Sequence, residues 1–114
     1  MSRRAGSSTA FFVALALLSG CPPPGKGPKA EAGYQRAAPV LAALETYHAR
    51  RNSYPDSLGQ LAPDFVGKDA LAAAGLEYIH IGDGFEVRFR YFGPGVNDCV
   101  YRGSDRRWTC SGYF

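Results

Sequence analysis

The amino-acid sequence predicts an α+β domain in which one long N-terminal amphipathic helix packs on a small antiparallel sheet of three or four strands. Apolar residues recur every three or four positions between Tyr34 and about Asn52, a spacing typical of one helix face. After Gly75 the period becomes two, and glycine-rich turns separate the alternating stretches. Because an alternating strand has one apolar and one polar face, the helix and the sheet are predicted to cover each other.

The first 21 residues have the pattern of an export signal. Arg3 and Arg4 precede an apolar run over residues 10–18, and small residues lead to Cys21. The run is shorter than the roughly 20 apolar residues that a membrane-spanning helix needs. Leucine, two small residues and a cysteine resemble the signal of bacterial lipoproteins, in which the cysteine is acylated and becomes the N-terminus after cleavage. The resemblance implies a signal peptide over residues 1–20 and lipidation of Cys21, with palmitate as a marker.

Two alternatives stay open for this segment. It is also compatible with an ordinary signal peptide or an uncleaved anchor, and Arg3-Arg4 allows a twin-arginine signal, although the residues that follow do not fit one. The lipoprotein resemblance implies an exported protein, attached to the membrane by lipid and facing the periplasm. Since Pro22 and not Asp follows Cys21, it implies the outer membrane rather than the inner one in a Gram-negative host.

Removal of the signal leaves 94 of the 114 residues, which fits one small domain. Without Arg3 and Arg4, 11 basic side chains remain against 10 acidic ones, so the charge gives no nucleic-acid footprint. If Cys21 is acylated, Cys99 and Cys110 form an even remainder, as expected for a disulfide in an oxidising compartment. Two cysteines are too few for a zinc site, and their spacing is not that of a redox pair.

The chain divides into an anchor, a tether and a head. Residues 21–33 are predicted to be the lipidated cysteine and a Pro/Gly-rich tether that holds the head, residues 34–114, off the membrane. Pro39 fits best in a first helical turn, so the firm part of the helix is predicted to begin near Ala37 or Ala38.

The segment after the helix contains Tyr54-Pro55 and two spaced leucines, Leu58 and Leu61. Pro55 favours an extended Tyr54 and ends the helix, and Asp56 or Ser57 is predicted to cap a short turn that carries both leucines inward.

The helix and this turn together resemble the head region of type II secretion pseudopilins and minor pilins, over about residues 41–61. The resemblance implies a helix packed across an antiparallel sheet and a protein that makes contacts or has a structural role. Pseudopilins build filaments through a long hydrophobic N-terminal helix, and this sequence has a lipoprotein-like signal and a tether in that place.

The second half of the chain is predicted to form a short helix and the sheet. The helix runs from Asp69 to Ala74 and is closed by Gly75. Strands are predicted over residues 76–81, 85–92, 99–102 and 107–110. The apolar face of the second strand consists of Phe85, Val87, Phe89 and Tyr91.

The last two strands are predicted to form a hairpin. If Ser104 and Asp105 are its central residues, Cys99 faces Cys110 within disulfide reach. By the chain-entropy estimate, this disulfide is worth about 3 kcal/mol at most. Alternation puts Trp108 on the cysteine face of this hairpin, and Arg102 and Arg107 on the other.

The sequence contains no recognised catalytic motif, and neither an enzyme nor a cofactor is expected. His48 is predicted at the edge of the helix stripe and His80 in solvent, far apart in the sequence. Asn97, Asp98 and Asp105 are similar to the calcium loop of major pseudopilins, but they lack the spacing of a twelve-residue calcium loop, and turn capping explains them more simply.

A candidate interaction face consists of Arg102, Arg107 and Trp108, because arginine and aromatic side chains dominate interface hot spots. The simpler interpretation is a packed tryptophan on one side and solvated arginines on the other. The sequence therefore favours a non-enzymatic lipoprotein with an envelope protein partner. The alternative is a small-ligand or ion-binding module that uses the same hairpin, and a periplasmic hydrolase ranks third.

Overall fold

The predicted α+β class is confirmed. The computed structural model describes residues 22–113, so the predicted signal peptide and Cys21 lie outside the described residues. Two α-helices, one 3₁₀ helix and a four-stranded antiparallel sheet make up the described part. Their bounds are α1 Pro28–Arg51, the 3₁₀ helix Leu58–Leu61, α2 Lys68–Ala74, β1 Glu77–Ile81, β2 Gly84–Phe92, β3 Val96–Arg102 and β4 Arg107–Tyr113.

The sheet is a meander with the strand order β1-β2-β3-β4, in which each strand pairs with the next along the chain. In β2 the predicted apolar residues are buried and alternate with half-buried or exposed positions. The last hairpin has the predicted register, with Cys99 opposite Cys110 and Tyr101 opposite Trp108. Strands β3 and β4 are each three residues longer than predicted, extending to Val96 and Tyr113 respectively.

Helix α1 begins at Pro28, six residues before the predicted start at Tyr34. Ala30 and Gly33 are buried against the sheet, so tertiary contact stabilises a helical turn that composition alone assigns to a linker. Pro39 lies inside the helix on its exposed side, contrary to the prediction that it marks a first turn. The helix ends at Arg51, and Asn52 adopts a left-handed conformation and donates its N–H to the His48 carbonyl at 2.8 Å.

The core lies between α1 and the sheet, closed at one side by the 3₁₀ helix. Ser57 is the N-cap of the 3₁₀ helix, and the Gln60 side chain accepts the Ser57 N–H at 3.2 Å, which completes a capping box. Leu61 is fully buried, and Leu58 packs against the core. The same core cluster contains the buried residues Val40, Ala43, Leu44, Tyr47, Phe85 and Val87.

Residues 22–27, which belong to the predicted tether over residues 21–33, make contacts with the head. The Gly25 N–H donates to the Tyr91 hydroxyl at 2.9 Å, and the Tyr34 hydroxyl donates to the Gly25 carbonyl at 2.8 Å. A Cβ on Gly112 of β4 would lie only 3.0 Å from Pro24. Pro24 and Gly25 are thus held against the sheet by long-range contacts, and the head begins before residue 34. In the part of the chain described, no helix is long and apolar enough to cross a membrane.

Candidate interaction surface

One face of the sheet is covered by α1, and the opposite face is open to solvent. We call this second face the open face. Two ion pairs cross its strands, Arg102 Nε to Glu86 Oε2 at 3.0 Å and Arg90 Nε to Asp98 Oδ1 at 2.8 Å. Such pairs on a solvated surface are each worth about 1 kcal/mol or less. The open face is therefore a solvated surface with charged side chains in cross-strand pairs, and not a second hydrophobic core.

The two arginines of the candidate interaction face lie on the open face as direct cross-strand neighbours. Arg102 is the register partner of Arg107. Like charges placed directly opposite each other destabilise a sheet. Glu86 neutralises Arg102, whereas Arg107 makes no ion pair within residues 22–113. The exposed Arg107 guanidinium is consequently a cation available to an outside carboxylate.

The concavity beside these arginines is shallow. It has a volume of about 180 Å³ and lies between Asp98, Asp105 and Arg107. Pockets for small molecules usually enclose about 300 to 1,000 Å³. Its size favours contact with a side chain of another protein over enclosure of a ligand.

Of the three residues considered for calcium, Asp98 and Asp105 line the same concavity on the open face, but Asn97 does not. Asn97 is buried on the helix-facing side and donates its side-chain N–H to the Pro94 carbonyl at 3.0 Å. Asp98 points to the open face and pairs with Arg90. Among the described residues, no group of three histidine, cysteine, aspartate or glutamate side chains could hold a metal ion.

Trp108 is separated from the two arginines. It packs on the helix-facing side, with ring-centroid distances of 5.2 Å to Tyr34, 5.1 Å to Phe89 and 5.4 Å to Tyr101. The period of two along β4 sends Arg107 and Trp108 to opposite faces. Of the candidate interaction face, Arg102 and Arg107 lie on the open face, whereas Trp108 is partly buried and packs against the core on the other side.

The predicted disulfide between Cys99 and Cys110 is confirmed, with a Cα–Cα distance of 4.1 Å. It lies on the helix-facing side, where Cys99 is fully buried and the Tyr34 hydroxyl is 3.3 Å from the Cys110 sulfur. The disulfide joins β3 to β4 directly beneath α1.

His80 of strand β1 was predicted to face solvent, but the side chains of β1 have the opposite orientation. Ile79 and Ile81 face the open side and are 54% and 51% exposed, whereas His80 points toward the helix side and is half-buried. Tyr78 is the register partner of the buried Val87, and this fixes Tyr78 and His80 on the same face. Since β1 pairs only with β2 among the described strands, it forms an edge with exposed isoleucines.

The structure brings together two histidines that are distant in sequence. His48 and His80 line one cleft of about 160 Å³. The His48 ring stacks on Tyr54 at 4.4 Å, and His80 Nδ1 lies 3.2 Å from Asp56 Oδ1. The Asp56 side chain is 91% exposed, so this pair is weakly held. No short motif links positions 48 and 80, and only the packing of α1 on the sheet reveals the cleft.

Two tyrosines hold the chain beside this cleft. The Tyr78 hydroxyl donates to the Pro55 carbonyl at 2.6 Å, and burial, followed by the nearby Asp56 charge, raises the pKa of Tyr78 to about 12. The Tyr54 hydroxyl donates to Glu45, and burial followed by that carboxylate raises the pKa of Tyr54. Both hydroxyls stay protonated at neutral pH and serve as donors that fix the Tyr54-Pro55 segment.

The geometry defines an α+β head with one covered and one open sheet face. Comparisons with protein-family models, curated proteins and solved structures gave no match. The features that bear on function are therefore the open face of the sheet and the export-signal pattern of residues 1–21.

Proposed function

We propose that the chain is a lipid-anchored lipoprotein of the bacterial cell envelope, whose head makes contacts with an envelope protein and catalyses no reaction. The anchor is the acylated Cys21, after removal of residues 1–20, and the head faces the periplasm. In a Gram-negative host the outer membrane is preferred, because Pro22 follows the cysteine.

The observation that carries the contact function is the Arg102–Arg107 pair on the open face. A carboxylate from a partner would neutralise Arg107 and relieve its repulsion with Arg102. Ile79 and Ile81 add exposed apolar area at the β1 edge of the same face. We infer that the partner presents an acidic, partly apolar segment.

The likeness to pseudopilin and minor pilin heads is part of the proposal. It is supported by the packing of α1 along a four-stranded antiparallel sheet and by the buried Pro55 that returns the chain to the core. This support concerns the shape of the head, and membership of a secretion or pilus system does not follow from it.

Lipid attachment is tested by growing cells with labelled palmitate and weighing the purified protein. The expected product carries label and a mass that corresponds to cleavage before Cys21 plus acyl chains. The variant Cys21→Ser is the control and should carry no label. An unmodified mass in the wild-type protein, or recovery wholly in the soluble cytosol, would contradict the proposal.

Partner contact is tested by affinity capture from detergent-solubilised envelope. Arg107→Glu should lose the partner that wild type retains, because a charge reversal at an interface hot spot costs about 2 kcal/mol or more, a factor of roughly 30 in affinity. Arg36→Glu is the matched control, since Arg36 is an exposed arginine on α1. Identical captured proteins for wild type and Arg107→Glu would exclude the open face as the contact surface.

The competing function is a small-ligand or ion-binding module at the same two arginines. A ligand that binds only the folded state raises the thermal midpoint. A screen of small anions that raised the midpoint of wild type but not of Arg107→Glu would favour this alternative over protein contact.

A further inference from the structure

The residues that follow Cys21 are fixed to one end of the sheet. Gly25 is held by hydrogen bonds to Tyr91 and Tyr34 at 2.9 and 2.8 Å. This end also contains the turn between β2 and β3. Pro22, the first residue that the structure describes, lines a cleft at this end together with Gly93 and Pro94, so the described chain begins here.

The surface around this point is partly apolar and carries two lysines. We define the anchor-side surface as Pro22, Lys26, Lys29, Phe92 and Pro94. Phe92 is 62% exposed, the largest exposure among the large apolar side chains of residues 22–113. A shallow cleft of about 220 Å³ runs between the prolines, and Lys29 Nζ donates to the Phe92 carbonyl at 2.5 Å. The acidic residues nearest this end are Glu31, exposed in the first turn of α1, and Asp98, which pairs with Arg90.

We propose that the anchor-side surface lies directly on the membrane, with Phe92 at the level of the lipid headgroups. This inference rests on the proposed lipid anchor. Apolar rings are stabilised at the boundary between headgroups and acyl chains, and lysines there extend their ammonium groups toward lipid phosphates. Lysines near an anionic membrane surface strengthen attachment to that surface.

The membrane is favoured over a second copy of the chain as the occupant. The proposed acyl chains are attached to the residue that precedes Pro22, so they hold the bilayer next to the anchor-side surface at a high effective concentration. Because Gly25 is hydrogen-bonded to Tyr34 and Tyr91, at most three residues, Pro22 to Pro24, separate the anchored position from this fixed point of the head.

The same orientation leaves the candidate interaction face accessible. Arg102 pairs with Glu86 near the far end of β2, and β2 spans roughly 26 Å from Gly84 to Phe92 at about 3.3 Å per residue. Arg102 and Arg107 would then face the periplasm while Phe92 faces the lipid.

The test places a tryptophan at each end of the open face in the purified, acylated protein. Phe92→Trp reports the anchor-side surface, and Ile81→Trp is the matched control at the far end, where Ile81 is 51% exposed. Both proteins are reconstituted in vesicles of phosphatidylglycerol and phosphatidylcholine with brominated acyl chains, which quench a tryptophan that reaches them. The signal of Trp108, present in all variants, is subtracted with the wild-type protein.

The Phe92→Trp variant should lose most of its added fluorescence, and the Ile81→Trp variant should lose almost none. Lys26→Glu combined with Lys29→Glu should restore part of the lost fluorescence. Equal quenching at both positions in vesicle-bound protein would overturn the membrane contact and leave the anchor standing. Shielding of the new tryptophan from acrylamide without bromine quenching would mean that a protein covers it, which also overturns the inference. Protein that fails to float with the vesicles would overturn the anchor and the inference together.

Discussion

Gly33 determines how closely α1 approaches the sheet. It is buried in the helix, and a Cβ at this position would overlap the ring of Phe89. Phe89 in turn contacts the edge of Tyr34 at 5.7 Å and Trp108 at 5.1 Å between ring centroids. A single absent methyl group therefore allows the helix to lie on an aromatic cluster above the disulfide.

Replacement of Gly33 by alanine is expected to lower the free energy of unfolding by about 1 to 3 kcal/mol, because overpacking outweighs the better helix propensity of alanine. Urea denaturation measures the change. Gly59→Ala is the control, since the nearest atom to its added Cβ is 3.9 Å away, and it should be neutral or slightly stabilising. Equal midpoints for the two variants would show that α1 does not approach the sheet this closely.

Tyr78 is expected to make stability fall at high pH. Burial raises its pKa to about 12 in the folded protein, against an ordinary value of 10.0 in the unfolded chain. The folded state holds the proton more tightly, so this contribution is fully present below pH 10 and is lost as the pH rises toward 12. Absorbance of tyrosinate in wild type minus Tyr78→Phe should show one group that titrates near pH 12.

The same substitution is expected to cost about 1 kcal/mol at neutral pH, because the Pro55 carbonyl loses its donor. Urea midpoints measured at neutral pH and again near pH 12 should converge for wild type and Tyr78→Phe. A difference titration centred near pH 10 would show that the Tyr78 hydroxyl is not buried against Pro55.

Sequence patterns predicted β2 and the last hairpin, because alternating apolar residues and turn residues determine these elements over a short range of sequence. Cys99 and Cys110 follow from the hairpin register alone. The start of α1 could not be predicted in this way, since Ala30 is stabilised in a helix by distant Phe89 and Tyr91. The orientation of His80 likewise depends on cross-strand pairing between β1 and β2, which the strand's own residues do not specify.

The candidate interaction face was predictable in part, because alternation along the hairpin is a local sequence pattern. Arg102 and Arg107 were expected on one face of the hairpin, and local alternation was sufficient for that. Their direct opposition follows from the hairpin register, but the pairing of Arg102 with Glu86 requires the neighbouring strand β2. The cleft between His48 and His80 depends on tertiary packing and has no local signal.

The hairpin disulfide is expected to stabilise the fold by up to about 3 kcal/mol, because it closes a loop with a sequence separation of 11. Replacement of both Cys99 and Cys110 by alanine should lower the urea midpoint accordingly. The control replaces Val100 and Thr109 by alanine, a cross-strand pair on the open face that should cost about 1 kcal/mol or less. A wild-type midpoint that is insensitive to reductant would argue that the bond does not form.

Residues 22–27 connect the predicted lipidation site in the sequence to the sheet in the structure. A free tether of proline and glycine would decouple the head from the membrane. The hydrogen bonds of Gly25 with Tyr34 and Tyr91 instead hold the start of the described chain against the head. The open face and the anchor-side surface thereby acquire a defined orientation to each other and, under the proposed lipid anchor, to the bilayer.

The contact between Gly25 and Tyr91 predicts slow hydrogen exchange at the Gly25 amide. The Gly25 amide donates to the Tyr91 hydroxyl at 2.9 Å, so it should exchange more slowly than an unfolded peptide. Tyr91→Phe removes the acceptor, and loss of about 1 kcal/mol should speed this exchange by about fivefold. Tyr101→Phe, at the far end of the same sheet face, should leave it unchanged. Exchange of the wild-type Gly25 amide at the unfolded rate would mean that the segment is a free tether after all, and the head would then have no fixed orientation to the membrane.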